Sequence, residues 1–261
     1  MTVDADTLFE KNALATILAR RESSGAVCVA GNLLVADTNR WVQRMQIYDD
    51  LISIAAVKRY QGSYGATLVA QGAFSAYETC AVKQIGGWTQ GAGEDIVLTY
   101  RLLALGRVSL YEPRAVGFTT VPRTLRGLWR QRARWARGMF EGLHAVKPWQ
   151  QPTLYGGYFE ALNLSILYLD LAYVFGFLAG AALALLGMPW LVGCATLLTL
   201  PALAVGMASV YIFQRRVAGV HVKNSMAGLL CFAVLFQPVQ SLCSLDGYAR
   251  ALLGCRVRWK T

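Results

Sequence analysis

The sequence contains very little histidine, and its cysteines form no recognisable metal-binding or redox pattern. The only histidines are His144 and His221, and the six cysteines include no Cys-x-x-Cys pair. A structural zinc site needs clustered cysteine or histidine ligands, and a disulfide framework is typical of short secreted chains with paired cysteines. The composition supports neither a zinc site nor a disulfide framework.

Charged residues are scarce in the second half of the sequence. Residues 1–150 hold 18 of the 25 Lys and Arg residues and 12 of the 15 Asp and Glu residues, and Asp170 is the only charged residue from Ala161 to Phe213. With a mean hydropathy of +0.39 and 55% hydrophobic residues, the chain is more apolar than an ordinary soluble protein. We therefore expect a polar, cytosolic first part and a membrane-embedded second part.

Three apolar segments are candidates for membrane spans. Asn163–Gly187 and Pro189–Phe213 are each long enough to cross a hydrocarbon core of about 30 Å. The third, Ser225–Leu245, contains two glutamines and a proline, so it is either a span or a broken, re-entrant helix. The loop before it, Gln214–Lys223, is basic, and the positive-inside rule places it in the cytoplasm.

The polar half alternates short apolar runs with helical patterns. This alternation predicts an α/β domain with a mixed sheet. The expected strands are Gly25–Ala30 and Thr67–Gln71, and the expected helices are Asp6–Arg20, Trp41–Lys58 and Ile96–Leu105.

Basic residues concentrate just ahead of the apolar segments. The net charge is +10, and seven arginines lie between Arg114 and Arg137. Attraction to anionic lipid or to a diphosphate explains this placement more simply than nucleic acid does, so no nucleic-acid partner is expected.

Within this basic region, residues 131–135 read Gln-Arg-Ala-Arg-Trp. In a helix, Gln131, Arg134 and Trp135 are three and four positions apart and share one face. A guanidinium pairs with two phosphate oxygens, an amide donates to a third, and an indole offers a flat surface to a sugar ring. The segment therefore predicts a site for a phosphorylated sugar. The alternative is an interfacial basic helix that contacts lipid headgroups.

Two carboxylates, Asp4 and Asp6, directly follow Val3. If Val3 ends a strand, both carboxylates emerge at its carboxyl end, where open α/β sheets place their ligands. Such a pair suits Mg²⁺ or Mn²⁺ that carries a diphosphate. The alternative is that Asp6 caps the helix expected to follow it.

A second acidic pair, Glu94–Asp95, follows the glycine-rich segment Gly86–Gly93 and precedes a helical pattern. Acidic residues at a helix start can be capping residues that interact with the helix dipole. A flexible loop that leads into two acids also allows a carboxylate to face a substrate and act as a general base. The local sequence leaves both interpretations open.

The order of these motifs resembles that of the family-2 processive glycosyltransferases, which include chitin-oligosaccharide, hyaluronan, cellulose and poly-N-acetylglucosamine synthases. The order is Asp-x-Asp, a glycine-rich loop with Glu-Asp, Gln-x-x-Arg-Trp on a basic amphipathic helix, and apolar segments. Val69–Ala76 looks like the family's acceptor-side segment, and Ile85–Trp88 looks like the turn before the acidic pair.

The resemblance implies a role for each motif. Asp4 and Asp6 would hold Mg²⁺ or Mn²⁺ on the nucleotide diphosphate, and Asp95, with Glu94 beside it, would be the catalytic base of an inverting transfer. The remaining roles concern binding: the donor diphosphate would contact Gln131, Arg132 and Arg134, and the acceptor would contact Trp135, Gly72 and Phe74.

The resemblance also implies an architecture. Residues 1–122 would be part of a GT-A catalytic domain with a mixed sheet, residues 123–160 amphipathic interfacial helices, and residues 161–261 a region of two or three transmembrane helices. The expected location is the bacterial inner membrane, multi-pass, with the catalytic part in the cytoplasm. The lipid bilayer is then a partner of the chain.

The expected activity is transfer of a sugar, N-acetylglucosamine or a related hexose, from a UDP-sugar to a growing glycan. Family members carry a longer segment before the Asp-x-Asp pair, so we expect a C-terminal part that a separately encoded N-terminal half or accessory subunit completes. Three alternatives stay open: a non-catalytic membrane subunit that guides a glycan, an inactive remnant, and a non-processive lipid glycosyltransferase.

Overall fold

The computed structural model describes residues 1–189, 192, 199–217 and 226–254. At its centre is a sheet of five strands: β1 (Thr2–Val3), β2 (Leu8–Phe9), β3 (Cys28–Val35), β4 (Phe74–Tyr77) and β5 (Ser109–Thr119). Their order across the sheet is β1-β4-β3-β5-β2, with β3 and β5 parallel and the other neighbours antiparallel. The predicted α/β fold with a mixed sheet is confirmed.

The first six α-helices surround this sheet: α1 (Ala13–Ser24), α2 (Trp41–Asp50), α3 (Arg59–Ser63), α4 (Thr79–Gln84), α5 (Glu94–Ala104) and α6 (Leu125–Ala145). A π-helical segment, Leu51–Lys58, joins α2 to α3. Side chains of β3 alternate between two cores, because successive residues of a strand point to opposite faces. Val29 packs with Ile17 of α1, whereas Cys28 packs with Leu98 of α5.

The central strand β3 is buried along nearly its whole length. Its pairing with β5 shifts between Gly31 and Asn32, where the regular register is interrupted. A Cβ atom at Gly31 would lie 2.2 Å from the Phe74 ring, so only glycine lets that ring pack against the strand. The position of β4 beside β3 thus depends on this glycine.

The remaining helices are mostly apolar: α7 (Leu154–Leu171), α8 (Ala179–Leu185), α9 (Thr199–Val217), α10 (Met226–Cys231) and α11 (Gln237–Leu252). π-helical segments join α7 to α8 and α10 to α11, so each pair forms one continuous helix. Leu154–Leu185 and Ala227–Leu252 are long and apolar enough to cross a membrane, by length and composition. A shorter apolar stretch, Ala204–Phe213, lies in α9.

Two sequence-based elements have to be corrected. Thr67–Gln71 is not a strand. The Thr67 amide donates to the Ser109 carbonyl of β5, but further along side chains accept from the backbone: the Leu68 amide donates to Gln61 and the Ala70 amide to Thr99. The helix expected from Asp6 begins only at Ala13, since Leu8–Phe9 pairs with β5 as an edge strand.

Other predicted elements agree with the structure. Trp41–Lys58 is helical throughout, and Ile96–Leu105 corresponds to α5, which Gly106 follows with a positive φ of 73°. Gly25–Ala30 overlaps the first three residues of β3. In Ser225–Leu245 the helix from Met226 onward is unbroken, because the π-helical segment Phe232–Phe236 leads directly into α11, which contains the proline. For Pro189–Phe213, the structure describes a helix from Thr199, and residues 190, 191 and 193–198 lie outside the described part.

Candidate active site

The first acidic pair lies in the turn between β1 and β2. The Asp4 amide donates to the carbonyl of Ala73, which anchors this turn beside the start of β4, and the Thr7 amide donates back to the Asp4 carbonyl. Asp6 does not cap a helix, because α1 begins at Ala13 and its N-cap residue is Asn12. The capping interpretation of Asp6 was therefore wrong.

The second acidic pair is the first turn of α5. Within this pair, the Asp95 carboxylate accepts hydrogen bonds from the amides of Gly72 (3.2 Å) and Ile96 (2.9 Å). Thr99, one turn further along α5, donates to the Asp95 carbonyl and accepts from the Ala70 amide. These bonds hold α5 to the segment before β4, so both acidic pairs lie at the same edge of the sheet.

The carboxylates of the two acidic pairs act on one another electrostatically. Burial raises the pKa of Asp4, and the nearby Asp6 raises it further. Arg134 lowers this pKa and Asp95 raises it, each by a smaller amount. Burial also raises the pKa of Glu94, with Asp95 and Asp4 acting in the same direction and Arg134 against them. Arg134 of α6 therefore acts on one carboxylate of each acidic pair, Asp4 and Glu94.

The helix α6 carries the basic motif, as predicted. Thr124 caps it, with its hydroxyl accepting from the Gly127 amide at 3.1 Å. Gln131, Arg134 and Trp135 occupy one face, with Arg134 and Trp135 exposed. Among the described residues, the buried amide oxygen of Gln131 has no hydrogen-bond partner. We call residues 131, 134, 135 and 138 the site face of α6.

The opposite side of α6 packs against the apolar helices. A Cβ atom at Gly247 of α11 would lie 2.3 Å from the Ala133 carbonyl oxygen and 2.9 Å from the Ala136 Cβ, so the two helices approach closely. Trp129 also donates to Asp246 at 2.8 Å. We call residues 129, 132, 133 and 136 the apolar-helix face of α6.

Arg132 lies on this second face and not in the acidic group. Its guanidinium is 2.5 Å from the Asp49 carboxylate, and both side chains are largely buried. It also lies over the rings of Trp135 and Phe236, at 4.5 and 5.2 Å. Because an ion pair already occupies Arg132, the structure assigns it to packing, and the expectation that it binds a diphosphate is corrected.

Phe74 needs the same correction. Its ring has no exposed surface and packs against Gly31 and Phe9. A ring without exposed surface cannot stack on a sugar, so Phe74 is a core residue. Gly72 is partly exposed, and its amide is the donor to Asp95, so it stays beside the proposed site.

Sequence reasoning missed two charged residues: Lys58, whose charge interacts with that of Asp95, and Asp50, which interacts with Lys58. Burial lowers the pKa of Lys58 to about 8, while Asp95 and Asp50 oppose this shift. Burial and the neighbouring Asp49 raise the pKa of Asp50 to about 7, against Arg132 and Lys58. The sequence feature that could have identified them is their position: Asp50 and Lys58 directly flank the apolar run Leu51–Val57.

The fold has a counterpart among solved structures. Over 98% of the chain, the structure is similar to a solved mannosyltransferase from Pyrobaculum calidifontis, determined in complex with GDP-Man and Mn²⁺, with a TM-score of 0.56 and 16% sequence identity. The match covers 62% of that protein. This likeness shows the fold class, a GT-A-type α/β domain followed by apolar helices.

The chain belongs to the glycosyltransferases described as Glycosyl transferase family group 2, whose sequence pattern matches residues 1–213. It is 33% identical over 147 residues to the poly-beta-1,6-N-acetyl-D-glucosamine synthase of Staphylococcus epidermidis and 32% identical over 145 residues to that of Staphylococcus aureus strain COL. Each match covers 55% of this chain and 35% of the relative, so the chain corresponds to about a third of those curated synthases.

Proposed function

We propose that this chain is the catalytic and membrane part of an inverting glycosyltransferase that moves a sugar from a UDP-sugar to a growing polysaccharide. The observation that carries the proposal is the meeting of four carboxylates with Arg134 at one sheet edge. A carboxylate that accepts a proton and a cation that holds a diphosphate are the two requirements of such a transfer.

The carboxylates fit a divalent cation. Asp4 lies close enough to Asp6 and Asp95 for their charges to raise its pKa, and a bound cation would relieve this repulsion. Mg²⁺ and Mn²⁺ prefer carboxylate oxygens and keep phosphate oxygens in their shell, so Asp4 and Asp6 would hold one of them. Among the described residues no group of three or more His, Cys, Asp or Glu side chains is arranged to hold a metal alone. The diphosphate would complete the shell.

The chemistry assigned to the chain's own residues is a single displacement. The acceptor hydroxyl oxygen attacks the anomeric carbon, its proton passes to the Asp95 carboxylate, and the bond from that carbon to the diphosphate breaks. Hydrogen bonds from Gly72 and Ile96 orient Asp95 for this step. Arg134 and Gln131 would bind the diphosphate and stabilise the charge that develops on the departing UDP.

Trp135 is the proposed acceptor platform. Its ring is 42% exposed on the site face, next to Arg134. Aromatic rings stack on sugar rings through their apolar faces. With a stacked acceptor, the product can stay bound for another addition, so Trp135→Ala is expected to shorten the polymer about tenfold while hydrolysis of the UDP-sugar continues. Product sizing by gel electrophoresis measures this, and an unchanged length distribution would contradict the assignment.

The membrane placement is part of the proposal. Leu154–Leu185 and Ala227–Leu252 supply two candidate spans, and residues 123–160 would lie at the membrane surface between them and the catalytic residues 1–122. The basic end of α9, with Arg215 and Arg216, then lies in the cytoplasm with the catalytic part. The expected location is the inner membrane of a bacterium.

The expected donor is UDP-N-acetylglucosamine, because the similar staphylococcal proteins are named as synthases of its polymer. The test is incubation of membranes carrying the full-length protein with radiolabelled UDP-N-acetylglucosamine or GDP-mannose, each with Mg²⁺ or Mn²⁺. Polymer formation from the UDP-sugar alone supports the proposal. A product with one sugar on lipid would indicate a non-processive transferase, and no product from either donor would indicate a glycan-guiding subunit.

A further inference from the structure

A glutamate of α6 joins the helix to the turn that precedes the catalytic acids. The Glu141 carboxylate accepts from the amide of Ala92 at 2.9 Å and from the amide of Gly93 at 3.4 Å, both through Oε2. Its other oxygen, Oε1, accepts from Arg137 Nε at 2.7 Å. Both side chains are mostly buried, with exposed fractions of 16% for Arg137 and 26% for Glu141. The bonds are therefore partly shielded from water, which strengthens them.

Glycines bring the two backbones together at the same place. A Cβ atom at Gly138 would lie 2.6 Å from the Gly93 Cα, and a Cβ atom at Gly93 would lie 2.4 Å from the Gly138 Cα. At Gly91, a Cβ atom would lie 2.7 Å from Glu141 Oε2. These three positions leave no room for a side chain unless the turn moves away from α6.

The contact of Glu141 and Gly138 with the turn at residues 91–93, which we call the joint, is adjacent to the proposed catalytic groups on both sides. Gly93 is the N-cap residue of α5, and its carbonyl accepts the helical hydrogen bond from Val97. Glu94 and Asp95 follow it directly. On α6, Gly138 lies on the site face one turn beyond Arg134. The joint therefore fixes how far the Asp95 carboxylate lies from the diphosphate-binding side chains.

We propose that Glu141, held by Arg137, is a positioning residue that sets the distance between Asp95 and the site face of α6. The inference rests on the proposed glycosyltransferase function, because only then does that distance control a reaction. A displacement of about 1 Å can lower a rate about 100-fold without removing any catalytic group. The effect should therefore appear in turnover more than in donor affinity.

The test compares Glu141→Ala, Glu141→Gln and Glu22→Ala in full-length protein in membranes. Glu22 is an exposed residue of α1 and serves as the matched control. We expect Glu141→Ala to lower kcat about 10- to 100-fold and to change the KM for the UDP-sugar less than about threefold. Glu141→Gln should recover kcat to within about threefold of wild type, because its amide oxygen still accepts from Ala92.

Two further variants keep the outcome informative if Glu141→Ala folds poorly. Gly138→Ala moves the turn without changing a charge, and Arg137→Gln removes the ion pair but leaves the acceptor for Ala92. Both should lower kcat with little change in KM. Unchanged kcat in Glu141→Ala and Gly138→Ala overturns the inference, and so does a loss that Glu141→Gln does not recover.

The same assay separates this inference from the proposed function. If Asp95→Asn is inactive while all Glu141 and Gly138 variants match wild type, the positioning role is wrong and the glycosyltransferase assignment stands. If Asp95→Asn retains wild-type activity, the assignment of the base fails and the positioning role fails with it.

Discussion

The two sides of α6 place two arginines, two residues apart, in different environments. Arg134 lies on the site face, where its charge acts on Asp4 and Glu94. Arg132 lies on the apolar-helix face, buried in an ion pair with Asp49. One helix therefore joins the proposed chemistry to the apolar helices, and the comparison predicts that damage on the first side lowers activity while damage on the second lowers stability.

The largest expected effect is on the site side. Asp95→Asn removes the proposed base while keeping the side-chain shape, so sugar transfer should fall about 10²- to 10⁴-fold. Glu22→Gln, on the exposed side of α1, should leave transfer unchanged. Incorporation of radiolabelled sugar measures both. Activity of Asp95→Asn within threefold of wild type would rule out the base assignment.

The two arginines provide the next test. Arg134→Ala should lower kcat/KM about 10²- to 10³-fold through lost diphosphate stabilisation and leave the melting temperature unchanged. Arg132→Met leaves the buried Asp49 carboxylate without its partner, so it should destabilise the protein by about 3 kcal/mol. Thermal unfolding and activity are measured on the same detergent-solubilised samples. The opposite pattern, a stable but inactive Arg132 variant, would restore Arg132 to the diphosphate site.

The close packing of α11 against α6 predicts a smaller effect. Gly247→Val places atoms where the Ala133 backbone and the Ala136 side chain lie, so it should cost about 1–3 kcal/mol of stability. Gly206→Ala on α9 is the matched control, since a Cβ atom there meets nothing within 4 Å. Equal melting temperatures for the two variants would show that α11 does not pack on α6 this closely.

The smallest expected effect is a change in melting temperature on substitution of Asp50, and its size depends on pH. The pKa of Asp50 rises from 3.8 to about 7 on burial, so between these values the folded protein holds a proton that the unfolded chain has released. Stability from this group is present below pH 3.8 and is lost as pH rises through 7. Asp50→Asn should raise the melting temperature by about 2–4 °C at pH 8 and by less at pH 5. An equal shift at both pH values would contradict the raised pKa.

The sequence predicted the parts of the fold that local rules determine. The basic amphipathic pattern after residue 123 indicated α6, and the acidic pair before Ile96 indicated the start of α5. The strand at residues 67–71 was wrong because the Leu68 and Ala70 amides donate to the Gln61 and Thr99 side chains instead of to a neighbouring strand. Both partners lie outside the segment, so its own residues do not reveal these bonds.

The sequence likewise predicted only part of the candidate site. Motif order indicated Asp4, Asp95 and Arg134, and the structure brings them together. Arg132 and Phe74 could not be separated from that group by sequence, because their burial depends on Asp49 and on Gly31, which lie far away along the chain. Glu141 and Lys58 were missed for the same reason, since their partners lie on other elements.

The most direct test of the central claim, that the site face of α6 and the acidic pair together hold a metal-bound nucleotide diphosphate, is calorimetric titration of UDP into the full-length protein. With Mn²⁺ present, wild type should bind UDP, and either Arg134→Ala or removal of the metal by chelation should weaken binding at least about tenfold, equivalent to 1.4 kcal/mol. Equal UDP affinity with and without metal, and in Arg134→Ala, would contradict the account.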